Sequence, residues 1–137
     1  GSTLPSSGNV FISVRDGDKI AMVPVARALV DLGFTIFATS GTALFLSESG
    51  IACEKINKIS QGRPHILDKV HDGEIGWIVN TSLGKRTTED SYKIRRAAID
   101  LHIPYTTTAN GAAALVRAMK EMKEKSLEVK PVQKFAQ

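Results

Sequence analysis

The sequence predicts an α/β protein: three layers, α/β/α, around a five-stranded parallel sheet. Three observations lead there. Short β-branched and aromatic runs alternate with segments whose apolar residues recur near the 3.6 period. Glycines at Gly33, Gly50 and Gly73 close successive helical segments. Strands separated by whole helices run parallel and need helical layers on both faces of the sheet. A chain of 137 residues fits one such core.

The elements follow in order. Gly1 to Asn9 is rich in Gly, Ser and Pro and reads as a linker or an expression scar, ahead of a domain over residues 10–125 and a tail over 126–137. Val10 to Val14 is the first strand. Arg15 to Lys19 is polar, and a helix then runs to about Leu32 on Met22, Val25, Leu29 and Leu32, with Pro24 expected in its first turn. Phe34 to Thr39 is a second strand and Thr42 to Ser49 a short helix. Ile51 to Ile56 is a third strand, towards an edge because of Glu54 and Lys55. Pro64 opens a helix that ends at His71. Trp77 to Val79 is the fourth strand. Thr88, Glu89 and Asp90 then start a helix buried through Ile94, Ala97, Ala98 and Leu101. Pro104 to Thr108 is the fifth strand. Ala112, Leu115, Val116, Met119 and Met122 mark the last helix, and a frayed or docking tail follows from Ser126.

Composition narrows the function classes. The net charge of +4 is mild and aromatics make up only 6%, so nucleic acid is not an expected partner. No apolar run reaches the roughly 20 residues that cross a bilayer, so no membrane association is expected. Cys53 is the single cysteine. It cannot form an intramolecular disulfide, which suits a reducing cytoplasm. Asn80-Thr81-Ser82 matches a glycosylation sequon that has no meaning without secretion.

Right-handed crossovers bring every strand-to-helix junction to one edge of the sheet, where open α/β sheets bind ligands. Lys19, Thr39-Ser40-Gly41-Thr42, Lys58 and Asn80-Thr81-Ser82 fall there. Hydroxyls, ammonium groups and the N–H groups of a helix start are the parts of a phosphate cradle. Taken alone, Thr-Ser-Gly-Thr reads first as a helix cap and each lysine as a solvated surface group; their combination on one edge favours an anion site. Both G-x-G-x-x-G and the P-loop pattern are absent. His65, His71, His102 and Cys53 lack metal-ligand spacing, and two of these histidines fall in helical segments with exposed neighbours. Asp68, Asp72, Glu89 and Asp90 read as helix-surface acids rather than a catalytic pair.

Four stretches, FISVRDGDK, DLGFTIFATSGTALFLSESGI, INKISQGRPHILDKV and IVNTSLGKRTTEDSYKIRRAAIDLHIPYTTT, together resemble the C-terminal allosteric domain of carbamoyl phosphate synthetase large subunits. That domain has the methylglyoxal-synthase-like (Rossmann-like) fold. The resemblance runs from about Leu4 to Met119, and Leu4-Pro5 with Gly8 resembles the family's junction with a preceding synthetase domain. It implies a fragment of a larger ATP-dependent ligase that uses ATP with Mg2+ or Mn2+. The parent makes carbamoyl phosphate from glutamine-derived ammonia and bicarbonate, for arginine and pyrimidine synthesis, together with a small glutaminase subunit. Homo-oligomers are left open.

For this chain the resemblance implies no catalytic residue, no cofactor and no metal. It implies instead a nucleotide monophosphate effector, uridine monophosphate (UMP) or inosine monophosphate (IMP). The family's contacts fall on Lys19, Thr39, Thr42, Lys58, Asn80, Thr81 and Ser82, flanked by Lys85 and Arg86, with Ser40 and Gly41 inside the cradle. Its ornithine contacts fall on Tyr105 and Thr107, the acidic remainder lying in another domain. Methylglyoxal synthases carry Gly-Gly-Asp-Gln where this chain has Gly62-Arg63-Pro64-His65, and a histidine where it has Thr88. The missing carboxylate predicts binding without proton abstraction. A free-standing lyase acting on dihydroxyacetone phosphate is the alternative. An interaction module whose edge residues are only caps and surface is the third reading.

Overall fold

A computed structural model describes residues 8–81 and 88–136, with side-chain surroundings at 8–81 and 89–126. Residues 1–7 of the expected linker lie outside the described residues, as do the expected site residues Ser82, Lys85 and Arg86. The sheet is five-stranded and entirely parallel. Its strands are β1 (Asn9–Ser13), β2 (Thr35–Ala38), β3 (Glu54–Lys55), β4 (Trp77–Asn80) and β5 (Tyr105–Thr106), in the spatial order β3-β2-β1-β4-β5. Among the described residues five α-helices accompany them: α1 (Lys19–Asp31), α2 (Ser40–Glu48), α3 (Ile66–His71), α4 (Thr88–Asp100) and α5 (Ala109–Ala136).

Strand periodicity divides the core in two. Val10, Ile12, Ile36, Trp77 and Val79 face one way, onto α1, α2 and α5 through Met22, Leu29, Leu46, Ala112 and Val116. Phe11, Phe37 and Ile78 face the other, onto α3 and α4 through Ile66, Val70, Ile94 and Ala98. Both faces are apolar because helices cover both, the pattern of parallel sheets. The three layers are those the sequence predicts. Trp77 is fully buried, and its indole N–H donates to Thr106 Oγ1 at 2.9 Å. That bond joins β4 to the short edge strand β5.

Several boundaries differ from the expected ones, each for a local reason. Helix α1 begins at Lys19, so Pro24 lies inside it rather than in its first turn. The N–H that proline lacks would have met the Ile20 carbonyl. Pro24 is exposed and Ile20 is 77% exposed, so water reaches that side of the helix. Helix α2 starts at Ser40 rather than Thr42. The third strand shrinks to two residues, because the Ile51 N–H still closes helix α2 onto the Leu46 carbonyl. Its edge position is as expected.

Helix α3 starts at Ile66 instead of Pro64. His65 is extended (φ −133°, ψ 178°) and its N–H donates to Asp68 Oδ2 at 3.1 Å. That bond, with Arg63 nearby, holds the Asp68 carboxyl below its usual range, with burial opposing. His65 is buried and stands just before the helix rather than within it. Leu101 and Met122, expected on buried stripes, are 44% and 60% exposed. Helix α5 begins at Ala109 and runs through the expected tail to Ala136. Residues Lys120 to Ser126 are exposed, and Lys, Glu and Met sustain a helix by propensity without burial.

Two threonine hydroxyls finish the sheet where strands part. Thr42 Oγ1, on α2, accepts the Val14 N–H at 3.2 Å. Thr81 Oγ1 accepts the Arg15 N–H at 3.1 Å, while Thr81 N–H returns to the Ser13 carbonyl at 3.0 Å. Both threonines are buried. Thr42→Val keeps the shape but strands a buried donor, so it should lower unfolding free energy by about 1–3 kcal/mol. Urea unfolding with an unchanged slope and a lower midpoint checks this.

Candidate functional site

The strand order reverses direction at the β1–β4 pair, the point at which open α/β sheets leave a crevice. Ser13 and Asn80 are register partners at the carboxyl ends of those two strands. Both line one pocket that opens to solvent. Thr39, after β2, and Lys58, after β3, complete its polar wall. Asp90 and Ser91, in the first turn of α4, close the side opposite β2. The floor is apolar: Phe11, Ile59, Ile66 and Ile94. An apolar base with a few fixed polar groups is the usual make-up of a small-molecule site.

Each polar group is positioned by its neighbours. Thr39 is the residue before α2, yet its side chain makes no capping bond to the helix. Its hydroxyl instead meets Ser13 Oγ at 3.1 Å across the β1–β2 gap. The first N–H groups of α2 therefore keep the positive helix end without a side-chain cap. Asn80 Nδ2 donates to Ser91 Oγ at 3.2 Å and to Tyr105 OH at 3.0 Å, which fixes the carboxamide between α4 and β5. The Lys58 N–H donates to Gln61 Oε1 at 2.8 Å, tying the loop that carries this lysine to the one-turn helix Ile59–Gln61.

Lys19 stands beside the pocket rather than in its wall. Its Nζ lies 3.4 Å from where a side chain at Gly41 would begin, next to the first turn of α2. The ammonium is ion-paired with Asp16. Lys19, Thr39, Gly41, Lys58 and Asn80 therefore share one rim of the sheet. Ser40 and Gly41 contribute backbone there as the first residues of α2. Thr42 and Thr81 lie below the rim with hydroxyls turned to the β1 backbone. Any contact Thr42 makes to an anion would come from its N–H.

The pocket also holds residues that sequence reading passed over. Asp90 was expected as a helix-surface acid; it lines the pocket. Ser13 and Ser91 carried no motif, and their signal was positional: one ends β1 and the other opens a helix. Tyr105 joins the pocket indirectly, through Asn80, and Thr107 is exposed beyond β5. Among the described residues no group of three His, Cys, Asp or Glu could hold a metal ion, and no helix is long and apolar enough to cross a membrane.

Residues 21–107 match the family described as MGS-like domain. The chain belongs to that family. Over 98% of its length the MGS-like domain is 45% identical to the carbamoyl phosphate synthase large chain of Mesorhizobium japonicum, of which it spans 12%. It is 52% identical over 92% of its length to a Methanocaldococcus jannaschii protein named carbamoyl phosphate synthase large chain, C-terminal section, and spans 21% of that protein. Among solved structures, a methylglyoxal synthase from Elizabethkingia anophelis aligns with a TM-score of 0.64 at 13% identity, over 82% of this chain and 79% of that one. The structure titled ForH aligns with a TM-score of 0.63 at 18% identity, over 85% and 81%. At those identities the structural likeness speaks for the fold alone.

One titration reports on the site's internal geometry. Burial pushes the Tyr105 phenol of the MGS-like domain above its ordinary value, against smaller opposing effects from the Asn80 hydrogen bond and the Arg95 charge. A raised folded-state value means the phenol's contribution to stability is complete below about pH 10 and falls as pH rises through the folded value. Ultraviolet titration of tyrosinate should show a component above the ordinary range that Tyr105→Phe abolishes.

Proposed function

We propose that this MGS-like domain is the regulatory nucleotide-monophosphate-binding part of a carbamoyl phosphate synthetase large subunit. The observation that carries the reading is the meeting of Ser13, Thr39, Lys58 and Asn80 on one pocket at the sheet's reversal point, beside the uncapped start of α2. The 45% identity to carbamoyl phosphate synthase large chains supports the assignment of the parent. In this reading Lys58 supplies charge to a phosphate monoester, and Lys19 adds its ammonium at the lip. Thr39 and the N–H groups of Ser40 to Thr42 orient the phosphate, and Asn80, whose amide hydrogens go to Ser91 and Tyr105, lines the pocket beside them. Ser82, Lys85 and Arg86, which lie outside the described residues, complete the proposed set by their place in the sequence. The apolar floor takes the base of UMP or IMP.

The parent would be a cytoplasmic ATP-dependent ligase. It would use Mg2+ or Mn2+ and a glutaminase subunit, with its products serving arginine and pyrimidine synthesis. Tyr105 and Thr107 would contribute to an ornithine site completed elsewhere in that parent. A nucleotide regulates such a protein only by binding one arrangement of this domain against the synthetase domains better than another. Lys58→Ala should weaken UMP or IMP binding by about 1.5–3 kcal/mol, the scale of hydrogen bonds to charged groups. Calorimetry returning wild-type affinity for that variant would remove Lys58 from the site.

Asp90 favours a second reading. A carboxylate in a phosphate pocket could serve as a base, as a lyase acting on dihydroxyacetone phosphate requires. Proton abstraction from carbon needs that base and a polarising acid aligned on the substrate. The Gly62-Arg63-Pro64-His65 segment supplies no carboxylate. The expected result is no inorganic phosphate released from dihydroxyacetone phosphate above the uncatalysed rate. Release that Asp90→Asn abolishes would make the domain an enzyme.

A further inference from the structure

We infer that Asp16 is an affinity-setting residue of the anion pocket, an internal carboxylate that occupies the Lys19 ammonium until a phosphate displaces it. The inference rests on the pocket reading above and adds a residue to it. Asp16 opens the one-turn helix Asp16–Asp18 that leads into α1, and its carboxylate pairs with Lys19 Nζ. The two partners differ sharply in exposure: the Asp16 side chain is 95% exposed and that of Lys19 17%. The carboxylate therefore reaches in from solvent to an ammonium sheltered against the first turn of α2. Gly41 lies beside that ammonium, and Thr39, the residue before α2, lines the pocket.

Such a contact is easily exchanged. An ion pair with one partner in water contributes little, because the freed carboxylate is well solvated and its side chain regains motion. The Lys19 hydrogen bond and charge hold the Asp16 carboxyl below its usual range, so the carboxylate stays charged and keeps competing at neutral pH. A phosphate dianion brings more charge than the carboxylate. It also brings several acceptor oxygens that the helix N–H groups can share, whereas Asp16 meets the lysine alone. Asp16 thus sets a threshold: phosphate monoesters clear it, and a lone carboxylate gains little by replacing another.

Calorimetry on the 137-residue chain with UMP, IMP, inorganic phosphate and uridine tests this. Asp16→Asn should bind the phosphate-bearing probes about two- to fivefold tighter than wild type at low salt, the range of an exposed ion pair. Uridine, which has no phosphate, should show no change. The gain should vanish when Asp16→Asn is made in a Lys19→Met background, which separates release of this ammonium from a general rise in positive charge. Unchanged or weaker binding by Asp16→Asn overturns the role of Asp16 and leaves the pocket reading intact. A gain that persists without Lys19 overturns it too. Wild-type chain that takes up none of the phosphate-bearing probes removes the pocket reading, and the Asp16 proposal with it.

Discussion

Parallel strands that hand over to helices on opposite faces must part from each other, and parting leaves backbone donors buried with no strand to receive them. At the end of β1 these donors are the N–H groups of Val14 and Arg15. The threonine hydroxyls of α2 and of the residue after β4 receive them. An unpaired buried donor costs about 1–3 kcal/mol, so the buried Val14 bond stabilises the rim more than the part-buried Arg15 bond. They also fix its shape. With Thr42 and Thr81 anchored to the same stretch of backbone, α2 and the β4 exit stand at a set distance on either side of β1. The pocket is the space that remains between them.

That constraint explains why the junction between β2 and α2 is built from hydroxyls and a glycine with no longer loop. Thr42 works inward, on Val14. Thr39, at the position where a threonine ordinarily caps a helix, makes no cap bond and turns to Ser13 instead. Packing and anion binding are therefore not rival accounts of Thr-Ser-Gly-Thr. One threonine closes the sheet, and the other leaves the helix start without its usual side-chain partner. Gly41 keeps that start clear beside the Lys19 ammonium.

The layers and strand direction were legible because they follow from periodicity and connection length, which are local. The rim was legible in part, since crossover handedness alone sends Lys19, Thr39, Lys58 and Asn80 to one edge. Topology could not say which hydroxyls face the crevice and which face the backbone: Thr39 and Thr42 are three residues apart and do opposite things. Asp90 was hidden for a related reason. An acid in the first turn of a helix is explained well by the dipole, and only the packing of α4 on α3 brings that turn over the pocket. The stretch from Ser126 onward misled in the other direction, because a polar charged run reads as a tail whether or not it continues a helix. Ile51 misled through its apolar, β-branched character, while its N–H was still closing α2.

Charge at the rim is balanced locally, and this bears on what kind of selectivity the pocket can have. The chain carries a formal +4, but among the described residues of the rim Lys19 faces Asp16 and Lys58 shares its pocket with Asp90. Among the described residues, then, two ammonium groups stand against two carboxylates, so these four groups contribute little net field and what they do contribute is screened by salt. What distinguishes one anion from another in such a place is the arrangement of fixed donors. Ser13, Thr39 and Asn80 are each held by a neighbouring strand or helix, and the α2 N–H groups are held by the helix itself. Overall basicity therefore does not predict the position of this pocket, which follows from the bonds that close the sheet around β1.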